Sequence, residues 1–470
     1  MKPHNWVIIG IIFIVALVGG FYFLEWLGGL AVIVLAIMVV LTGAIMRNPF
    51  IGLLAIVVAL PFEWVGSIDI SGLTLRISQV LLIITATAWL LNGLINKRLE
   101  FKSNPIFYPL IVFVIINLLS FTQAVNLKRA AVVLAATILT MLLAGLIPQL
   151  IDSLKKAKLV LRVLFVITII VTLFGIYQFI GDLIGLPQSL TGLRDLYTKD
   201  VFGFPRIQGT ALEPLYFVNF LILPITLAFA FLISREKVMN ILLLAALLLL
   251  GVINVVLALS RAGWVALAVS LVIVGIYYFR KLITPRQFII GLLIVLITAY
   301  VFIRVFGLTE DVEESFAAFG RQSLAFFEGA SFTDRVSTFT DAWVSFKMNP
   351  WLGIGTGNFG PIVALFPAIE PVGGWLIVNN IFLEIAVETG IFGLAVFILI
   401  LGILFIRSIK AINITTSSWL RAALIGSLAA LAGVMVQYQT FSILFIMHIW
   451  FLFGWLIALQ NLAFTKRINQ

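Results

Sequence analysis

Apolar runs of about 20 residues recur along the chain, broken by short polar punctuation, and each run is long enough to cross a bilayer as a helix. The pattern predicts spanning segments near 6–24, 27–46, 50–65, 77–95, 105–121, 130–150, 159–180, 212–233, 238–258, 262–279, 288–306, 384–406, 419–437 and 441–462. The run at 50–65 is the shortest and contains Pro61, so it is expected to be re-entrant or broken. Residues 6–24 follow only Lys2 and His4, lead through Glu25 into the next run, and show no small-residue cleavage pattern, so they read as a retained helix. The expected fold is an all-α polytopic membrane protein of about 12–14 transmembrane helices. N-terminal helices would occupy 1–180 and central helices 181–306, with an outer loop at 181–211. A helical extracytoplasmic loop would cover 307–383, and 384–470 would form the C-terminal helices.

Composition supports this reading. Hydrophobic residues make up 62% of 470 positions and charged residues 11%, too apolar for a soluble core. Cysteine is absent and only His4 and His448 are histidines, which excludes thiolate and histidine-rich metal sites. No metal and no cofactor are expected. The net charge of +10 is read as loops drawn to anionic lipid, not as a nucleic-acid surface.

The basic residues sort by side. With a cytoplasmic N-terminus, Lys2, Arg47, Lys97, Arg98, Lys102, Lys155, Lys156, Lys158, Arg162, Arg235, Lys237, Arg280, Lys281, Arg286, Arg407, Lys410, Arg421, Lys466 and Arg467 fall inside, as the positive-inside rule requires. Both termini are then cytoplasmic. A minority falls outside, where arginine is unusual: Arg76, Lys128, Arg129, Arg194, Lys199, Arg206, Arg261, Arg304, Arg321, Arg335 and Lys347. The two long connections, 181–211 and 307–383, lie on that face, and long ordered loops usually carry function.

Three of those arginines mark candidate chemistry. Arg261 stands in Ser260-Arg261-Ala262-Gly263 at a tight turn, Arg206 precedes Ile207-Gln208-Gly209-Thr210-Ala211-Leu212-Glu213-Pro214, and Arg335 follows Thr333-Asp334. A snorkelling arginine is the plain alternative for any one of them, but planar guanidinium groups gathered beside a membrane suit a lipid-linked phosphate or pyrophosphate. Glu213 could serve only the positive end of a helix that starts at Pro214, or could hold or deprotonate an acceptor hydroxyl. Glu384 and Glu388 are four residues apart and share a helical face. Acids entering a spanning helix read as site residues, with capping as the alternative. His448, expected about two turns into the last helix, reads as a hydrogen-bonded structural residue or a proton-handling one. Arg76 is a further candidate on the outer face. The run Gly353-Ile354-Gly355-Thr356-Gly357 follows no strand and precedes no Lys-Ser/Thr, so a nucleotide loop is rejected in favour of a tight turn.

In ordered sequence these features resemble the O-antigen ligase and polymerase superfamily of bacterial cell-surface glycan enzymes. The resemblance rests on Arg206 to Pro214, Ser260 to Gly263, Arg335 with Trp343, Asn349 to Phe359, and Asn380 to Gly393, and it covers 200–460. It implies a metal-independent membrane glycosyltransferase acting on the outer face of the bacterial plasma membrane. The donor would be a glycan linked through pyrophosphate to a polyprenol, and the acceptor a hydroxyl of a glycan or lipid-glycan, with membrane lipid as the medium and no nucleic acid or nucleotide as partner. Carried over by position, Arg206, Arg261 and Arg335 would bind the donor pyrophosphate. Ligases of the family carry His-Asn where this chain has Asn379-Asn380. An amide can hydrogen-bond a hydroxyl but cannot accept its proton, so either a carboxylate such as Glu213, Glu384 or Glu388 supplies the base, or the transition state needs little base help, or this member is not a ligase. The Glu213-Pro214 pair resembles the polymerase side, which makes polysaccharide polymerase the expected function. The alternatives are a ligase that transfers the glycan to lipid A core or protein, a lipid-linked glycan transporter or flippase, and a non-catalytic glycan-lipid binder.

Overall fold

The computed structural model describes residues 25–63, 68–70, 73–97, 99–279, 330–365 and 376–468. The expected segments at 6–24 and 288–306, and residues 307–329 of the expected outer loop, lie outside them. Contacts divide the chain into two compact units. One takes in the described residues of Met1–Ile56 and Val80–Phe101; the other takes in those of Val57–Gln79 and Lys102–Gln470.

In the first unit, α1 (Glu25–Arg47) and α2 (Pro49–Ala59) are separated by Asn48 alone. Pro49 cannot donate the next helical hydrogen bond and disfavours helical geometry at the residue before it, so the chain restarts there. At 11 residues α2 measures about 16 Å, half the hydrocarbon thickness, which confirms the short and broken reading of 50–65. Helix α3 (Ile77–Ile95) belongs to this unit from Val80 onward, and the two-stranded hairpin before it, β1 (Ile68–Ile70) with β2 (Leu73–Leu75), which pairs Ile68 with Leu75, belongs to the second. Apart from that hairpin the described elements are helices, the expected all-α architecture. Asn92 Nδ2 donates to Met46 O at 2.8 Å and ties α3 to α1.

The second unit holds α4 (Phe107–Ser120), α5 (Leu127–Leu150), α6 (Leu154–Leu183), α7 (Pro214–Ser234), α8 (Ile241–Leu257), α9 (Arg261–Phe279), α10 (Ala330–Met348), the one-turn α11 (Phe359–Val363), α12 (Ile381–Ile414), α13 (Ser418–Gln437) and α14 (Met447–Ile468). Among the described residues eight helices are long and apolar enough to cross a membrane, and the boundaries follow the apolar runs closely. Helix α7 is the central one and packs on α6, α8, α9 and α13. Small residues let these helices approach: Gly433 of α13 lies directly against Ser270 and the carbonyl of Ala266 on α9. Polar side chains then tie neighbours together, as where Trp455 Nε1 donates to Ser427 Oγ at 2.9 Å and Gln460 Nε2 to Ser408 Oγ at 2.8 Å.

Two expectations are corrected here. The final helix begins at Met447, not near 441, so His448 is its second residue and does not lie two turns in. Residues 438–446 stay non-helical because Tyr438 Oη donates to Ile443 O at 3.0 Å and Trp450 Nε1 to Leu444 O at 2.7 Å. Helix α12 is longer than expected and breaks at Gly390, where φ is 69° and ψ is −173°.

Candidate functional site

The loop 192–213 brings two guanidinium groups to one tyrosine. Arg206 N donates to Tyr197 O at 2.9 Å, and the guanidinium carbons of Arg206 and Arg194 lie 5.7 and 5.9 Å from the Tyr197 ring centroid. Arg194 Nη1 donates to Leu212 O at 3.1 Å, next to Glu213. Glu213 is the N-cap of α7 with Pro214 at the first helical position, yet its side chain makes no capping hydrogen bond. Burial pushes its carboxyl above the usual range; Arg194 and Arg206 pull it back, and Glu63 adds to the rise. The Tyr197 hydroxyl is raised by burial and by Glu213, against the pull of Arg206 and Arg194.

Arg206 also reaches the second arginine motif. Its Nε donates to Ala258 O at 3.1 Å, and Ile207 N donates to Leu257 O at 3.3 Å. The turn they grip carries Leu259 at φ 49°, a left-handed conformation costly for a branched side chain, and delivers Arg261 as the first residue of α9. Ser260 Oγ is buried in this turn with no hydrogen-bond partner. Arg206, Arg261 and Glu213 are thus held by one loop and one turn. Arg335 lies on α10, and its side chain is outside the described residues.

A second cluster gathers the remaining acids. Asn379 has φ 57°, a left-handed conformation that asparagine tolerates better than most residues, and its N–H donates to Ser442 Oγ at 3.0 Å. Ser442 Oγ donates to Glu384 Oε2 at 2.6 Å, and Val378 N donates to the same oxygen at 3.0 Å. Asn380 caps α12 through Leu383 N at 3.0 Å. Glu388 Oε1 accepts from Phe359 N at 3.4 Å, and Arg129 interacts electrostatically with both Glu388 and Glu384.

The Asn349–Phe359 run is stitched to the break in α12. Ile354 N donates to Val387 O at 2.9 Å, Gly355 N to Glu388 O at 3.0 Å, and Ile391 N to Pro350 O at 2.9 Å. Gly353 at φ 74° lies against the Glu388 carbonyl, and Gly390 against that of Trp351, so neither position has room for a Cβ. Thr356 Oγ1 donates to Asn117 Oδ1 at 2.6 Å, and Asn358 Oδ1 accepts from Asn126 N at 2.7 Å, which fixes the run to α4 and α5. Its amides are engaged within the protein and not offered to a phosphate.

Deeper in the unit is a buried polar chain. His448 Nδ1 is 3.3 Å from Glu63 Oε1, His448 Nε2 is 2.7 Å from Asn219 Oδ1, Asn219 Nδ2 donates to Gln437 Oε1 at 2.8 Å, and Gln437 Nε2 donates to Leu215 O at 3.1 Å. Arg76 Nε donates to the Glu63 carbonyl at 3.3 Å. Arg76 and His448, unrelated in sequence, therefore meet at Glu63. Glu63, Arg129, Arg194, Tyr197 and Ser442 were not among the residues assigned roles from sequence. The only sequence signals were an acid at the end of an apolar run for Glu63 and outer-face basic positions for the two arginines.

Spanning helices and buried cross-helix polar contacts define a multi-pass helical membrane protein whose long loops carry arginine and carboxylate side chains. Residues 245–398 match the family model described as O-Antigen ligase. The match covers about a third of the chain and supports its resemblance to the O-antigen ligase and polymerase superfamily and to glycan transfer of that general type. The matched stretch contains Arg261, Arg335, Asn379, Glu384 and Glu388, whereas Glu63, Arg76, Arg206, Glu213 and His448 fall outside it. No curated protein matches the chain.

Proposed function

We propose that this protein is a polysaccharide polymerase that moves a glycan from a polyprenyl-pyrophosphate donor onto a sugar hydroxyl, at the extracytoplasmic face of the bacterial plasma membrane. The distribution of basic residues supports that orientation, with both termini cytoplasmic. Arg206 and Arg261 hold the donor pyrophosphate, and Arg335 joins them. As the bond from the anomeric carbon to phosphate oxygen breaks, its electron pair leaves on the pyrophosphate, and preorganised guanidinium donors stabilise that charge without a metal. The acceptor oxygen forms the new bond to the anomeric carbon, and its proton passes to Glu213. Glu384 and Glu388 accept hydrogen bonds from Val378, Ser442 and Phe359, and we assign them to positioning Asn379 and the glycine run. Asn379 hydrogen-bonds the acceptor.

The observation that carries this reading is the shared anchorage of the arginines: Arg206 bonds the turn that opens the Arg261 helix. Complementation of a deletion strain tests it. Wild-type protein should restore long glycan chains, while Arg206→Ala and Arg261→Ala protein accumulates in the membrane without restoring them; full chain length from both variants would contradict it. A ligase is the second reading, favoured by the description of the matched family. Accumulation of lipid-linked polymer in the deletion strain would select the ligase, whereas retention of single-unit product would select the polymerase.

A further inference from the structure

Helix α10 is apolar on its exposed side. Its inner side sets Ala342, flanked by Phe339 and Phe346, in one cluster with Ile354 of the glycine run, Phe359 of α11 and Val387 of α12. Thr338 and Ser345 share that buried side. The outer side carries Trp343, Val344, Lys347 and Met348 as one helical stripe, and Trp351 follows just past the helix end. Trp343 is 55% exposed, Val344 47%, Met348 49% and Trp351 63%. Small hydroxyls inside and large apolar groups outside reverse the pattern of a helix that faces water. They fit a helix whose outer side meets lipid.

Continuity and depth point to the same partner. The Trp351 ring centroid is 5.7 Å from that of Phe392, and Phe392 and Ile391 are exposed immediately after the break at Gly390. From there the apolar flank of α12 stays exposed through Ile398, Leu399, Ile406 and Ile409, as a spanning helix exposes the side it turns to lipid. Gly390 and the exposed Lys410 are about 30 Å apart along this helix at 1.5 Å per residue, which is the thickness of the hydrocarbon layer. The break and the ring contact beside it therefore fall at the edge of that layer. Lys347, in the middle of the outer stripe, can lay its methylenes along apolar surface and reach headgroup phosphates with its ammonium.

We propose that the outer stripe of α10, with Trp351 and Phe392, is seated in the headgroup and acyl boundary of the bilayer, so that α10 is an interfacial helix and not a free outer loop. The occupant of this surface is phospholipid. Helix α10 also carries Arg335, and its seating holds the backbone of that residue at headgroup depth, the level of a lipid-linked pyrophosphate. That consequence rests on the function proposed above, but the lipid contact does not.

Spin labels test the contact directly, because the chain has no cysteine. Val344→Cys, Met348→Cys and Trp351→Cys, all at exposed positions, are each labelled with a nitroxide in vesicles of phosphatidylethanolamine and phosphatidylglycerol. Ile398→Cys on the spanning flank and Asp200→Cys on the exposed part of loop 192–213 serve as lipid and water references. Collisions with oxygen, which partitions into lipid, should outweigh collisions with a water-soluble nickel chelate at all three sites, at a depth of about 5–10 Å below the headgroups. A nickel-dominated signal like that of Asp200→Cys would overturn the proposal. So would protection from both relaxants, or spin coupling between labels, since those results mean that protein or a second copy of this chain covers the face. Full transfer by Arg206→Ala and Arg261→Ala would defeat the transferase reading and leave the label depths standing.

Discussion

Arg206 reaches 52 positions along the chain to donate its Nε–H to the carbonyl of Ala258, three residues before Arg261. The bond orients the plane of one guanidinium and steadies the turn that presents the other. A bidentate donor pair is only as useful as its orientation, so the two arginines should act as a unit. Arg261→Ala and Arg206→Ala are each expected to lower turnover about 100-fold, with the double variant little worse than either. Arg261→Lys, which keeps the charge but loses the planar fork, should recover only part of the loss. Chain-length distribution normalised to membrane protein level checks all four.

Glu213 should impose an acid limit on the rate. Its carboxyl is raised by burial, with Arg194 and Arg206 pulling it back and Glu63 adding to the rise. The base is the ionised form, so activity is present above the raised value and is lost as pH falls through it. Arg194→Met removes a group that favours ionisation and should shift the acid limb to higher pH; a limb that stays in place would argue that Glu213 is not the base.

Asn379 depends on its supports. Ser442 bridges the Asn379 amide and Glu384, so Ser442→Ala and Glu384→Gln should each lower turnover roughly tenfold with little change in apparent donor affinity. Because the three groups form one network, the double variant should fall well short of the product of the single effects, as measured by a double-mutant cycle.

The break in α12 should be a stability determinant. Gly390 has φ 69° and lies against the Trp351 carbonyl, so Gly390→Ala must both strain the backbone and displace the loop, at a cost of about 1–3 kcal/mol. Gly402, on the same helix with nothing near its Cβ position, is the control: Gly402→Ala should be neutral or slightly stabilising. Thermal unfolding in detergent distinguishes them.

Local signals in the sequence marked most of the fold. The apolar run predicted at 77–95 is the helix Ile77–Ile95, and the loop expected to be helical at 307–383 contains the helix Ala330–Met348, because periodicity and length alone specify such elements. Helix α14 starts later than its apolar run because the side chains of Tyr438 and Trp450 bond the carbonyls of Ile443 and Leu444 in a way no propensity records. The bond from Arg206 to the turn before Arg261 joins two motifs that the sequence marks only by their shared residue type. The Glu63–His448 contact is not legible there, since those residues are distant in sequence and only tertiary packing brings an acid at the end of one helix to a histidine at the start of another.

The most direct measurement is transfer by purified protein reconstituted in liposomes, supplied with a polyprenyl-pyrophosphate-linked glycan in metal-free buffer and compared with the Arg206→Ala, Arg261→Ala double variant. Wild-type protein should form longer lipid-linked glycans and release polyprenyl pyrophosphate, while the folded double variant forms none. Equal elongation by the double variant, or an absolute need for added metal, would contradict the guanidinium mechanism.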